Sequence, residues 1–451
     1  MDEMGALTGM LRHILLDFRQ MQDFIREPFI VARADGIRYW DVTGKEYLDG
    51  LSGVFVVNVG HNNRAIVEAM KAQLDRVAFA PPLHGVTSPA VELASRLAEI
   101  APGDLNTVKL LSGGSEAMET ALKIVWQYHR QTGHPRKHKI VSMYNAYHGA
   151  TLGALSATAT KRRKAIFEPL LPGFVHAQPV YCFRCPYEKT YPACDVFCAR
   201  TVRDLIEAED PETVAAVIVE PISNTGGTLV PPPEYLPTLR RICDETGALL
   251  IFDEIITGFG RTGELFAAIR YHTTPDILVV GKGMSSGYAP LAAAIISNRV
   301  ARAFWGKTQD RVELSHGHTY GAHPVAAAAG LASIGEILSR DLPANARKVG
   351  AHLKKQMAAL SDLGVIADVR GEGLMVAAEL ATDPKSKARF DEGIAIGNRV
   401  AQRALRNGLV MRGDLHTISL APPLIVTEED IDAMVAIVRK SLQEVLAELR
   451  A

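Results

Sequence analysis

Nowhere in the 451 residues does an apolar run approach the ~18–20 residues needed to cross a bilayer, so no membrane-spanning segment is expected. Nor does one sign of charge dominate: 49 Lys and Arg face 50 Asp and Glu, a formal net charge of -1. With no basic run and no acidic tail, a nucleic-acid or anionic-membrane partner has no electrostatic footing, and a small-molecule partner is favoured. Cysteine is scarce and odd in number, five in all, with Cys243 alone inside an apparent helix. That argues against a secreted scaffold held purely by disulfides. Acids at Asp2 and Glu3, and interruptions at Arg12, His13, Asp17 and Arg19, are unlike a secretory signal; the cytoplasm is the expected location. Repeats and low-complexity tracts are also lacking.

The length exceeds what one simple core holds, so a large and a smaller domain are expected. From about Val108 to Asn298, short apolar runs alternate with longer amphipathic ones, which is α/β patterning. Buried strands of parallel-sheet type are predicted at Lys139 to Tyr144, Ala215 to Ile222, Ala248 to Ile255 and Asp276 to Gly281. Helices are predicted from Glu116 to about Gln131 and from Tyr235 to Thr246. After Pro343 the pattern shifts to amphipathic helices and short strands, ending in a helix striped by Ile431, Met434, Val435, Val438, Leu442 and Val445. The opening segment around Trp40, Gly44 and Tyr47 reads as a small hairpin meander that packs with this second domain. The expected division is therefore 1–60 (N-terminal segment), 61–342 (large domain, a mostly parallel sheet flanked by helices) and 343–451 (small α+β domain).

Several short motifs sit where such a sheet presents ligand-contacting groups. Leu111 to Ala117 runs from a strand through a Gly-Ser turn into a helix, and Gly114 and Ser115 bring free N–H groups and a helix dipole to one point, an anion site. Alone, the same residues also describe an ordinary helix start capped by Ser115. Asp253 stands at the carboxyl end of Ala248 to Phe252, placed to hold a protonated ring nitrogen or merely solvated. Lys282 follows Ile277 to Gly281 and opens a glycine-rich loop, where desolvation would free its amine for Schiff-base chemistry. With Tyr147-His148-Gly149, these elements supply partners for the phosphate, ring face, ring nitrogen and aldehyde carbon of pyridoxal phosphate (PLP). Gly258 to Gly263 fits G-x-G-x-x-G, but it does not directly follow a strand and no helical run is expected after it, so a dinucleotide site and a dehydrogenase are only a distant alternative.

The order of motifs resembles the class III aminotransferases, the PLP enzymes of fold type I often called ω-transaminases, from about Ile30 to Leu446. The motifs are Tyr47 to Gly50, Ser112 to Ala117, Tyr147 to Gly149, Val219-Glu220-Pro221, Asp253 to Gly263, Gly281-Lys282-Gly283, His316 to Tyr320 and Arg370 to Leu374. The resemblance implies that Lys282 carries the cofactor as a Schiff base and Asp253 bonds the pyridine nitrogen. It implies Tyr147 and Ile255 on the two ring faces, with His148 and Glu220 near the ring. Gly114 and Ser115 would bind phosphate, and Thr319 would reach the phosphate of a neighbouring subunit, since family sites lie at the interface of a homodimer or dimer of dimers. Relatives acting on ornithine or 4-aminobutyrate carry Glu where this chain has Thr225 and Gln where it has Ile256. Both departures resemble the amine or ω-amino acid:pyruvate branch, in which Arg412 would take the keto-acid carboxylate and Phe55 would wall the substrate pocket; a solvated Arg412 and a core Phe55 remain the alternatives.

The function implied is ping-pong transfer of an amino group from an amine donor to pyruvate or a similar keto acid. An aminomutase or decarboxylase on the same scaffold, or a non-catalytic homologue, are the other readings. Cys182, Cys185, Cys194 and Cys198 form C-x2-C-x8-C-x3-C, the spacing of a zinc knuckle, compatible with a metal, disulfides or free thiols. The chemistry needs none of these, and no metal ligand is assigned from sequence.

Overall fold

The computed structural model describes residues 3–450; the extreme ends of the expected terminal segments, residues 1, 2 and 451, lie outside them. A seven-stranded sheet forms the centre. Its strands are β1 (Leu105–Leu111), β2 (Lys139–Met143), β3 (Phe174–Ala177), β4 (Val214–Val219), β5 (Leu249–Asp253), β6 (Ile277–Val280) and β7 (Ala292–Ser297). The spatial order is β1-β7-β6-β5-β4-β2-β3. β2 through β6 pair in parallel, and β7 runs antiparallel between β1 and β6.

The strands are continuous apolar runs because both faces of the sheet are covered. Ala216 and Ile218 of β4 and Leu249 and Ile251 of β5 point into one core, shared with Met118, Leu122 and Val125 of the helix Gly114–Gln131. Val217, Val219, Leu250 and Phe252 point into the other, with Leu239 and Ile242 of the helix Tyr235–Thr246. Alternate residues along each strand thus feed opposite layers, as the two-residue pleat requires.

All four predicted strands end one to three residues early. β4 stops at Val219, because Glu220 turns toward the cleft and Pro221 has no N–H for a ladder. β5 stops at Asp253, where Glu254 bends away to accept the N–H groups of Ala267 and Ala268 at 2.7 Å each. The short helix Ala267–Arg270 that it caps does follow Gly263, against expectation, but spans a single turn. The helix predicted at Glu116 begins at Gly114. Gly113 and not Ser115 is its cap residue, and the Glu116 carboxylate accepts the Ser112 N–H at 3.1 Å.

Two smaller sheets carry the chain ends. An antiparallel meander, Val31–Asp35, Arg38–Asp41 and Glu46–Asp49, gains a parallel fourth strand from Leu409–Val410. Ile366–Glu372, Met375–Leu380, Thr417–Leu420 and Arg412–Gly413 form the other. The last helix, Glu428–Arg450, buries all six residues of its expected stripe. One residue joins these parts: Arg261, fully buried, donates to Ser52 Oγ (2.9 Å), Asn58 Oδ1 (2.8 Å) and the carbonyls of Leu374 (3.0 Å) and Pro422. No described helix is long and apolar enough to cross a membrane.

Candidate active site

The predicted residues leave the carboxyl ends of parallel strands, on one edge of the sheet: Gly114 and Ser115 after β1, Tyr147 and His148 after β2, Glu220 after β4, Asp253 ending β5 and Ile255 beyond it, and Lys282 after β6. Contacts knit them together. His148 Nδ1 donates to Asp253 Oδ2 at 2.8 Å, both residues being buried, while Asp253 Oδ1 accepts the Ile255 N–H at 3.2 Å. Ser115 Oγ accepts the Ala150 N–H at 3.0 Å, which ties the Tyr147-His148-Gly149 loop to the Gly-Ser turn. Glu220 Oε2 accepts from Ser223 Oγ at 2.9 Å and from the Tyr147 N–H at 3.4 Å.

Ile255 fills the space between the turn and the lysine. A Cβ placed on Gly114 would lie 3.1 Å from Ile255 Cδ1, and one on Gly281 would lie 3.0 Å from the same atom. Glycine at these positions therefore sets the width of the cleft. Lys282 itself holds φ at 43°, the left-handed region that costs a side-chain-bearing residue on the order of 1 kcal/mol and commonly marks an aimed side chain.

The electrostatics separate proton-holding groups. Desolvation lowers the Lys282 ammonium pKa, opposed by the charges of Asp253 and Glu220 and assisted by Arg412. Burial pushes the Glu220 carboxyl up to about 7. Tyr147 is raised by burial, against the pull of Arg163. Arg412 is lowered by burial, and its guanidinium lies 6.0 Å from the ring of Phe55, which is itself buried. Thr319 stands apart: it is exposed and, among the described residues, its side chain donates to none of this cluster. A cation that sequence reasoning passed over is Arg163, 3.7 Å over the Phe18 ring and 5.7 Å from that of Tyr147. Its sequence cue is the basic run Lys161 to Lys164, which the expectation of no basic run overlooked and which is shorter than the ~5–6 like charges of an interaction tail.

These residues fit pyridoxal phosphate. The first N–H groups of an 18-residue helix have no intrahelical partner, and beside them Ser112 Oγ is enclosed without a hydrogen-bond partner, as a phosphate cradle requires. The buried Asp253 carboxylate and the desolvated Lys282 amine supply the remaining two handles.

Such a cradle, strand-end acid and strand-end lysine on this sheet define a PLP enzyme of fold type I. Residues 22–442 match the family Aminotransferase class-III, and the chain belongs to that family. It is 39% identical over 438 residues to a probable aminotransferase of Mycobacterium tuberculosis, covering 96% of this chain and 93% of that one. To the adenosylmethionine-8-amino-7-oxononanoate aminotransferase of Geobacter sulfurreducens it is 37% identical over 437 residues, with 96% of each chain covered. Among solved structures, a thermostable (S)-enantioselective omega-transaminase from Thermomicrobium roseum superposes with a TM-score of 0.94 at 37% identity, over 98% of this chain and 99% of that one. The protein is a PLP-dependent class III aminotransferase.

Proposed function

We propose that this aminotransferase moves an amino group from an amine or ω-amino acid to pyruvate or a closely similar keto acid. The observation that carries the reading is Arg412, half-buried beside Phe55 and close enough to Lys282 and Glu220 to shift or feel their charge. A guanidinium at the wall of the cleft suits a carboxylate by paired charged hydrogen bonds. Thr225 and Ile256, where relatives acting on ornithine or 4-aminobutyrate carry Glu and Gln, support the same branch.

PLP supplies the electron sink and the carbonyl that condenses with the amine. In the proposed arrangement, Gly114 and Ser115 hold its phosphate, joined by Thr319 of a second copy of the chain across a homodimer interface. Tyr147 and Ile255 hold the ring between them. Asp253, oriented by His148, keeps a proton on the ring nitrogen, and Glu220, its carboxyl pushed up to about 7 by burial, is partly protonated near neutral pH. Lys282 Nζ holds the cofactor between turnovers. Once released it would take the substrate's Cα proton and return it to the former aldehyde carbon of the cofactor, a task favoured by the desolvation that lowers its pKa. Arg412 binds the keto-acid carboxylate, and Phe55 shapes the apolar side of the pocket. The chain division at 60/61 and 342/343 belongs to the same reading, with the cofactor residues of the cleft on the 61–342 portion and Phe55 and Arg412 added from the other two.

A donor panel of β-alanine, taurine, diamines and arylalkyl amines with pyruvate, read as alanine formed, tests the proposal. Alanine from none of them refutes it, and carbon dioxide release in its place favours decarboxylation. The Geobacter sulfurreducens relative supports one second reading, in which S-adenosylmethionine donates to 8-amino-7-oxononanoate. Including that pair in the panel separates the two.

A further inference from the structure

Between β3 and the helix Phe197–Ala208, residues 178–196 cross the surface with little regular structure beyond the 3-10 turn Cys182–Arg184. Segments of this kind longer than ~12–15 residues are uncommon in compact domains unless something holds them or they carry a function. This one has a mechanical task. Tyr181 and Arg184 both bond the carboxylate of Glu379, which is 1% exposed in the strand Met375–Leu380. Arg370 Nη1 completes the same cluster at 3.0 Å, and Lys387 Nζ donates to the Phe183 carbonyl at 2.8 Å. The loop is thus a clamp between the large sheet's side of the molecule and the C-terminal sheet.

Cys182, Cys185, Cys194 and Cys198 line one small cavity under this clamp, with Tyr191 and Phe197. All four are free thiols, in no disulfide. Among the described residues no group of His, Cys, Asp or Glu is already drawn together tightly enough to grip an ion. The four cysteines line one cavity, and the ion site is not preformed there. Each Sγ swings about a single bond among three staggered positions, and a structural metal site commonly completes itself only when the metal arrives. We propose that these cysteines bind one structural zinc ion, which pins the loop and so holds the Tyr181–Arg184–Glu379 clamp.

Zinc fits better than two disulfides. The four thiols line a single cavity and none is in a disulfide. A divalent cation would be bound by the thiolates: four Zn–S bonds of ~2.3 Å form, four thiol protons leave to solvent, and the centre carries two negative charges. Lys189, also on the cavity wall, and Arg200, which donates to the Cys194 carbonyl at 3.1 Å, stand ready to offset that charge.

The test is zinc analysis of the PLP-loaded enzyme purified without chelators, together with thiol titration in denaturant without reductant. About one zinc per chain is expected, falling at least tenfold in Cys182→Ser and Cys194→Ser, with five titratable thiols in the wild type once metal is stripped. Cobalt(II) added to the stripped wild type should give the intense thiolate-to-cobalt band of a tetrahedral sulfur site, a readout that needs no variant to fold. Zinc well below one per chain with no cobalt band, or a single titratable thiol, overturns the proposal; the second result would mean two disulfides. Loss of zinc should also lower the melting temperature and open residues 178–196 to proteolysis while PLP stays bound.

Discussion

Asp253→Asn tests the heart of the site, because the substitution preserves shape and removes only charge. Asp253 Oδ1 accepts the Ile255 N–H at 3.2 Å, a bond the asparagine carbonyl can keep. Oδ2, 2.8 Å from His148 Nδ1, becomes an amide NH2 that cannot keep a protonated ring nitrogen charged. A hydrogen bond to a charged group is worth ~1.5–3 kcal/mol against ~1 for a neutral one. The ground-state loss is thus about 0.5–2 kcal/mol, roughly two- to thirtyfold at 1.4 kcal/mol per tenfold. Removing a preorganised charge that acts mainly in the transition state commonly costs ~100- to 1,000-fold in turnover, so kcat should fall at least a hundredfold. The sign of the side effect helps. Asp253 raises the Lys282 pKa, so its loss leaves that amine more often neutral and more basic-ready, not less. Slower turnover therefore cannot be assigned to a silenced lysine. The assay is single-turnover absorbance on PLP-saturated protein, with circular dichroism and melting temperature as fold controls. A folded, PLP-loaded variant turning over within fivefold of the wild type would refute the role given to Asp253.

Lys282→Ala should abolish turnover while leaving the fold, and borohydride reduction of the wild type followed by peptide mapping should find the pyridoxyl group on Lys282; a label on another lysine overturns the assignment. Arg412→Ala should slow the half-reaction with pyruvate about ten- to a hundredfold, from loss of a charged hydrogen bond worth ~1.5–3 kcal/mol, yet barely alter the half-reaction with an uncharged amine; equal slowing of both would make Arg412 a structural residue. Glu220, its pKa raised from 4.5 to about 7, binds its proton more tightly folded than unfolded, so its contribution to stability is present below pH 4.5 and lost as pH rises through about 7. Urea unfolding at pH 5 and pH 8 should accordingly show a smaller loss of stability with rising pH in Glu220→Gln than in the wild type, and an unchanged or steeper loss would refute the assigned shift. Arg261→Met removes four hydrogen bonds and strands two buried carbonyls, so unfolding should become easier by on the order of 3–5 kcal/mol; a melting temperature within a degree or two of the wild type would show those contacts to be dispensable.

The central sheet was legible because burial on both faces writes itself as uninterrupted apolar runs. Four of its strands were placed to within a few residues, and the helices Gly114–Gln131 and Tyr235–Thr246 were found by their apolar stripes. Where boundaries moved, a side chain had left the ladder for another partner: Glu254 for the N–H groups of Ala267 and Ala268, Glu220 for Ser223. Such tertiary partners lie 3 to 14 residues away in the chain and leave no periodic trace. The positions of Asp253 and Lys282 were legible for a related reason. Both follow directly from a strand's end, and in a parallel sheet every strand's carboxyl end faces the same edge.

What sequence spacing hides is the set of contacts that cross between elements. Arg163 sits in a run of four cations, and only the fold places its guanidinium against Phe18 and near Tyr147 and Arg412. Phe55 had two readings, core or pocket wall: its ring is 2% exposed, as the core reading expects, and lies 6.0 Å from the Arg412 guanidinium, which leaves the proposed wall role compatible with it. A residue can be core on one side and wall on the other when the cleft is cut into the core itself. Arg261 lies inside the G-x-G-x-x-G stretch that was set aside as a formal match to a dinucleotide loop. Gly260, at φ 97°, and Gly263, at φ 95°, make the turns that carry that arginine inward, and a Cβ on Gly258 would meet the Glu254 carbonyl at 2.9 Å. The glycines are needed for backbone curvature around a buried cation, so the motif's letters are explained without any phosphate near them.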